Sequence, residues 1–220
     1  MNDNLEHLSI SLPDQKNYEI SYGLAFKLAS EKLSGTADLE EQCHRSDSIC
    51  HTENTRHMIL LKYLNKPVQV VLPEMQITFQ DSAEELELRD KILILHYLTQ
   101  AKGLPLTGNL IAYQELREGA AYYPSFFKRA VKPIIDYFGA NPERIYDASE
   151  KMGGYKASLR DVSVIIPAFS RVPITLVIWR GDDEFPPNAN ILFDSTILDN
   201  LPVEDINVLC QLITWQLIKS

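Results

Sequence analysis

The stretch from Leu86 to Leu98 carries apolar side chains at Leu86, Leu88, Ile92, Leu93, Ile94, Leu95, Tyr97 and Leu98. Four of them are consecutive, so no single stripe of a helix can hold them all. A helix here must be buried on more than one side, and the rest of the chain must pack around it. Ser82 and Glu85 stand ahead of it at the spacing of a capping box, in which the hydroxyl accepts a backbone N–H and the carboxylate reaches back to the cap. The spacing predicts a helix opened by Asp81-Ser82 and ended by Gly103 and Pro105. At 220 residues and 25.1 kDa, a chain of this size buries roughly 70% of its unfolded surface. It can bury such a helix without disulfide or metal staples.

The flanking segments predict what packs on it. Tyr22, Ala25, Phe26, Ala29 and Leu33 recur at helical spacing within residues 18–33, and Gly35 follows as a stop. Met58–Tyr63, Val68–Leu72 and Gln76–Phe79 read as a three-stranded meander broken by Asn65-Lys66-Pro67 and Pro73-Glu74. Leu110–Tyr113 reads as a short strand. Residues 119–152 read as two or three short helices divided by Pro124, Pro133, Gly139 and Asn141-Pro142, with Asn141 as an N-cap and Pro142 at the first helical position. Val162–Ile166, Ile174–Trp179 and Ile191–Phe193 are β-branched strands. A final helix follows, capped by Asp199 or Asn200, with Val203, Ile206, Cys210, Ile213 and Leu217 as its core stripe. Residues 1–17 are polar and mixed and are expected to form a loose arm, with 18–220 as one domain. Residues 36–57 hold almost no large apolar side chain and are expected to be an exposed polar loop, helical in part. The expected fold class is α+β, a single domain with a mostly antiparallel sheet and helices packed on it.

Composition narrows the function classes. A net charge of -9 and a pI near 5.0 argue against a duplex nucleic-acid binder, which needs a basic face. No apolar run approaches the ~18 residues of a membrane span. Three cysteines are too few and odd in number for a disulfide framework, and the N-terminus lacks the pattern of a secretory signal. These features point to the cytoplasm.

The segment Phe169 to Asp194 reads FSRVPITLVIWRGDDEFPPNANILFD, and Tyr97-Leu98 is followed by Gly103-Leu104-Pro105-Leu106-Thr107-Gly108. With these motifs the chain resembles a prokaryotic family known only as domain of unknown function number 3786, from about Met58 to the C-terminus. The resemblance implies a one-domain α+β protein typical of anaerobic bacteria and archaea, and no established activity. Some relatives carry an iron–sulfur cysteine box beside the domain; this chain has no CxxCxxC run to match it.

Two constellations could carry chemistry. Cys43, Cys50, His51 and His57, with His44, gather thiol and imidazole groups within fifteen residues, the donor types that zinc-like metals prefer. A divalent metal is the cofactor such a set would hold, provided the loop folds back. The plain alternative is a solvated loop with incidental Cys and His. Asp182 and Glu184 follow the strand ending at Trp179, and Asp194 closes the next strand. If those strands pair so as to bring the three carboxylates together, they could hold a hard cation or serve as acid and base. The plain alternative is turn chemistry around Gly181-Asp182.

Other groups favour structural readings. Tyr122, Tyr123, Phe126, Phe127, Lys128 and Arg129 read as core aromatics with a cationic rim. Pro105–Asn109 reads as a turn, and His96 as a hydrogen-bonded core histidine. A ligand- or cofactor-binding protein is the leading expectation, with Trp179, Asp182, Glu184, Asp194, Thr107 and Tyr113 around its pocket. A metal-dependent hydrolase using the acidic cluster and a structural or partner-binding domain are the alternatives.

Overall fold

A computed structural model describes residues 15–220. Residues 1–14, most of the expected arm, lie outside the described residues, and 15–17 already belong to a helix. That helix, α1 (Gln15–Ser34), lies against α3 (Leu88–Gln100), with Ala29 and Leu33 buried. Gly35 N–H closes α1 by donating to the Glu31 carbonyl at 2.9 Å.

Residues 36–57 are not the expected loop. They form α2 (Leu39–Arg45), β1 (Ile49–Glu53) and the first residues of β2 (Arg56–Tyr63). Asp38 caps α2, its carboxylate accepting from Glu41 N–H at 2.9 Å. The polar composition was misleading because β1 is an edge strand facing solvent, where pairing and not burial fixes the backbone. With β3 (Lys66–Leu72) and β4 (Gln76–Phe79) it makes an antiparallel sheet in the order β1-β2-β3-β4. The meander thus has four strands instead of three.

α3 starts at Leu88, later than the capping-box spacing predicts. Ser82 Oγ accepts from Glu84 N–H at 3.0 Å and shapes a turn; Glu87 is the N-cap and caps with no side chain. The burial expectation holds: Ile92, Leu93, Ile94, Leu95, Tyr97 and Leu98 are all buried. β5 (Leu110–Ala112), β9 (Asn188–Asp194), β8 (Val172–Trp179), β7 (Val162–Phe169) and β6 (Tyr155–Lys156) form the second antiparallel sheet in that order. The result is one α+β domain of two antiparallel sheets with helices packed on them.

The two sheets meet where Leu64 N–H donates to the Ala168 carbonyl at 3.0 Å. Phe169 stacks on Tyr97 at 4.2 Å between centroids and touches Tyr63 at 5.1 Å. α3, β2 and β7 therefore share one aromatic core. Tyr97 is buried because its hydroxyl has a partner, the Ser46 carbonyl at 2.7 Å.

Between the sheets' sequences run α4 (Gly119–Phe126), a π-turn (Phe127–Val131), α5 (Lys132–Phe138) and α6 (Arg144–Glu150). Pro124 and Pro133 bracket the π-turn. Their missing N–H groups remove ordinary helical bonds, which favours a wider register there. Asn141 does not cap α6; its carbonyl takes Arg144 N–H at 3.3 Å in a turn leading into that helix. The last helix, α7 (Val203–Lys219), follows Pro202 as N-cap, with Asp199 in a preceding short 3-10 turn. Its expected stripe is buried throughout.

Candidate functional site

The residues expected to form a pocket fall at opposite ends of the second sheet. β8 and β9 pair antiparallel, Trp179 opposite Asn188 and Ile174 opposite Phe193. The Asp182–Glu184 turn is therefore at one end and Asp194 at the other, about 20 Å apart at ~3.3 Å per residue. The three-carboxylate cluster does not assemble, because an antiparallel hairpin carries the second strand's end away from the turn.

Each member has a structural task. Asp182 Oδ1 accepts from Glu184 and Phe185 N–H groups at 2.9 and 2.8 Å, and these donors hold its carboxyl below the usual range. Glu184 contributes its N–H to that turn. Trp179 lies under the Arg160 guanidinium at 5.9 Å, and the neighbouring Arg180 pairs with Glu143. Asp194 is 4% exposed. Burial alone would push its pKa up, but donors from Thr196, Thr107 and Gly108 outweigh that and hold it low. Its oxygens accept from Gly108 N–H at 2.7 Å, Thr196 Oγ1 at 2.8 Å, Thr196 N–H at 3.1 Å and Thr107 N–H at 3.2 Å, with Thr107 Oγ1 also in reach. Gly108 has φ +75°, a left-handed conformation that suits glycine, and this aims its N–H at the carboxylate. Thr107 and Asp194 thus join the two sequence motifs into a clasp. Tyr113 is 1% exposed and stacked on Phe126 at 3.9 Å, with its hydroxyl donating to the Val203 carbonyl at 3.3 Å. It is core packing.

The expected metal set does not converge either. Among the described residues, no group of three or more His, Cys, Asp or Glu is placed to hold a metal ion. β1 pairs with β2 in a hairpin, Thr52 opposite His57. Strand alternation turns His51 to the face opposite Cys50. His57 Nδ1 is engaged by Thr52 Oγ1 at 3.0 Å. Cys43 lies on the buried face of α2, and burial pushes its thiol pKa up to about 12.

A groove lies elsewhere, away from both expected sites. A cleft of about 560 Å³ opens between the first sheet and the C-terminal half of α7, flanked by residues 84–90. Tyr63 ends β2 at its floor and donates to Asp90 Oδ1 at 2.5 Å. Burial raises both pKa values, for Tyr63 with the Asp90 charge adding to it, and for Asp90 despite the Tyr63 hydrogen bond and Arg89. Phe79 and Trp215 supply aromatic surface, Trp215 at 56% exposure. Lys66 bridges the rim, 2.5 Å from Glu84 and 4.9 Å from the centre of the Phe79 ring. Leu212, Trp215, Gln216 and Lys219 line the cleft from α7. Their i, i+3, i+4, i+7 spacing is a second stripe, legible in the sequence only as a tryptophan outside the core stripe. No motif announced Tyr63 with Asp90, because the pair joins a strand end to a helix start 27 residues away.

His96 is hydrogen-bonded as expected, but its side chain is 26% exposed at the edge of the core and not inside it. Its Nδ1 lies 2.5 Å from Asp205 Oδ2, tying α3 to the first turn of α7. Tyr122 is exposed, whereas Phe126 is fully buried, as core aromatics with a rim require.

Fold and cleft together define an α+β domain with an open, mixed-charge groove beside its smaller sheet. A family model described as domain of unknown function (DUF3786) matches residues 38–215, and the chain belongs to that family. The match starts earlier than the sequence motifs and takes in α2 and β1. No curated protein and no solved structure matches the chain. Among the described residues, no helix is long and apolar enough to cross a membrane.

Proposed function

We propose that this chain is a small-molecule- or cofactor-binding protein of the cytoplasm, and that the groove over Tyr63 and Asp90 is its site. The observation that carries the reading is the Tyr63–Asp90 pair. A half-buried carboxylate with a raised pKa and the Tyr63 hydroxyl as a strong donor has acceptor capacity left facing a cleft. A ligand presenting an N–H or O–H group would fill it. Phe79 and Trp215 favour a planar body for that ligand, since aromatic faces stack on flat rings. The expected ligand is therefore a small planar molecule with a polar donor at one end. Lys66, Arg89 and Lys219 against Glu84, Glu85 and Glu87 give the rim no dominant sign, which suits such a ligand better than a polyanion. The acidic chain as a whole argues against duplex nucleic acid as a partner.

The chain has two tryptophans, so Trp179→Phe leaves Trp215 as a lone reporter. Fluorescence titration of that variant with indole, tryptamine, adenine and adenosine should show saturable quenching by at least one probe. Asp90→Asn should weaken that probe about tenfold, the ~1.4 kcal/mol of one charge-assisted hydrogen bond. No saturation by any probe at millimolar concentration, or an affinity left unchanged by Asp90→Asn, overturns the site.

A partner-binding reading is favoured by one feature. Ile20, Leu24 and Leu28 form an i, i+4, i+8 stripe on α1 that stands 68%, 57% and 56% exposed. Sedimentation of wild type against Leu24→Lys over a concentration series tests whether that stripe is used: a partner-free mass for both at every concentration rules out self-association through it.

A further inference from the structure

A second cavity, of about 240 Å³, is lined by residues of α1, α3, α4, the π-turn and α7. The π-turn decides what enters it. Pro133 has no N–H to give to the Arg129 carbonyl, so the chain there cannot keep the ordinary helical register. The turn is anchored to α7 instead. Thr214, wholly buried on that helix, donates from Oγ1 to the Ala130 carbonyl at 2.9 Å. Ala130 and Val131 are buried, and Arg129 beside them is left exposed on the cavity wall. Arg89 lines the same cavity from the first turn of α3. A cation gains nothing from that position, because the N-terminal end of a helix carries partial positive charge.

Two guanidiniums thus share the lining with one carboxylate, Glu204, in a chain of net charge -9. Glu204 is favoured where it stands, in the first turn of α7. Among the described residues, Arg129 has no ion pair or hydrogen bond, and the ion pair of Arg89 is with Glu87 at 3.9 Å. The other walls are aromatic. Tyr22 of α1 and Tyr122 of α4 line the cavity, and Tyr113 is its buried side, with a hydroxyl already spent on the Val203 carbonyl. The charged donors left for a ligand are the arginines.

We propose that this cavity binds a small aromatic carboxylate, its carboxylate on Arg129 and Arg89 and its ring against Tyr22 and Tyr122. A planar guanidinium fork matches a carboxylate, and flat rings pack on tyrosine faces. The volume lies below the ~300–1,000 Å³ of drug-sized sites, which suits one ring and excludes a nucleotide. Both arginines are open to water, so the affinity is modest, on the order of 1 mM. The site is independent of the groove over Tyr63 and Asp90, although Arg89 lines both.

The test is isothermal titration calorimetry of the full chain at low salt with benzoate, with benzamide as its neutral counterpart, and with inorganic phosphate. The expected result is saturable binding of benzoate, tighter than that of either control. Arg129→Gln should weaken benzoate about tenfold, the worth of a hydrogen bond to a charged group. Tyr122→Ala, on a different element and 47% exposed, should weaken it as well, so the outcome does not hang on one variant. Asp90→Asn should leave it unchanged. No saturation by benzoate at millimolar concentration, benzamide or phosphate binding as tightly, or an affinity unchanged by Arg129→Gln and Tyr122→Ala overturns the proposal. A loss in Asp90→Asn equal to that in Arg129→Gln would assign benzoate to the other groove and overturn it too. If the groove takes none of its own planar probes, the benzoate result still stands.

Discussion

Asp194 and Asp90 are both carboxylates drawn into the fold, and they sit in opposite circumstances. Asp194 is ringed by donors from Thr107, Gly108 and Thr196 and is held ionised. Among the described residues, Asp90 has the Tyr63 hydroxyl as its side-chain hydrogen-bond partner, and burial pushes it toward its neutral form. The first lies where the sequence motifs are densest, and the second lies where there is none. A saturated carboxylate specifies structure: it closes a loop and has nothing left to offer a ligand. An under-satisfied one beside a cleft keeps acceptor capacity that only a ligand or water can use. Motif density in this chain therefore marks the fold, and the functional reading belongs to the quieter region.

Substitutions can break that contrast. Asp194→Ala should be the most damaging, since it strands several donors in the clasp; urea denaturation should show a loss of about 3 kcal/mol. The pH dependence should follow. Asp194 has a folded pKa below its unfolded value, near 4. Its contribution is present above pH ~4 and is lost as the pH falls through the depressed folded value. Asp194→Asn should flatten the acid limb of the stability curve; a limb as steep as that of the wild type would assign acid sensitivity to other carboxylates.

Asp182→Ala should lower the melting temperature by less than Asp194→Ala does, because the Glu184 and Phe185 N–H groups it frees return to water. Asp90→Asn should move the other way. A raised folded pKa means that the ionised form is penalised on folding, so the wild type loses stability as the pH rises from the unfolded value through the folded one. At neutral pH the asparagine variant should melt at or above the wild type, within about 1 kcal/mol. A marked loss would mean that Asp90 is structural after all, and the contrast with Asp194 would collapse. Trp215→Ala should be the mildest for stability, within about 0.5 kcal/mol at an exposed position, while removing binding of any planar probe.

Local periodicity carried most of the architecture. The all-round apolar stretch of α3, the core stripe of α7 and the β-branched runs of β7 and β8 were legible because burial repeats at 2 or 3.6 residues whatever the neighbours are. Element starts were less legible. Ser82 and Glu85 have capping spacing, yet α3 begins at Leu88, because a local hydrogen-bond pattern can serve a turn as well as a helix. Polar composition hid β1, whose partner strand supplies the bonds that its side chains do not advertise.

By itself the sequence determined the α+β class, the buried helix, the acidic charge balance and the family, since these depend on composition, period and contiguous motifs. The tertiary structure decided everything that depends on which ends meet. Antiparallel pairing sent Asp194 away from Asp182, strand alternation turned His51 from Cys50, and the packing of the chain put Trp215 in one cleft with Tyr63 and Asp90. Distances between residues far apart in the chain come from register and packing, which no local pattern encodes.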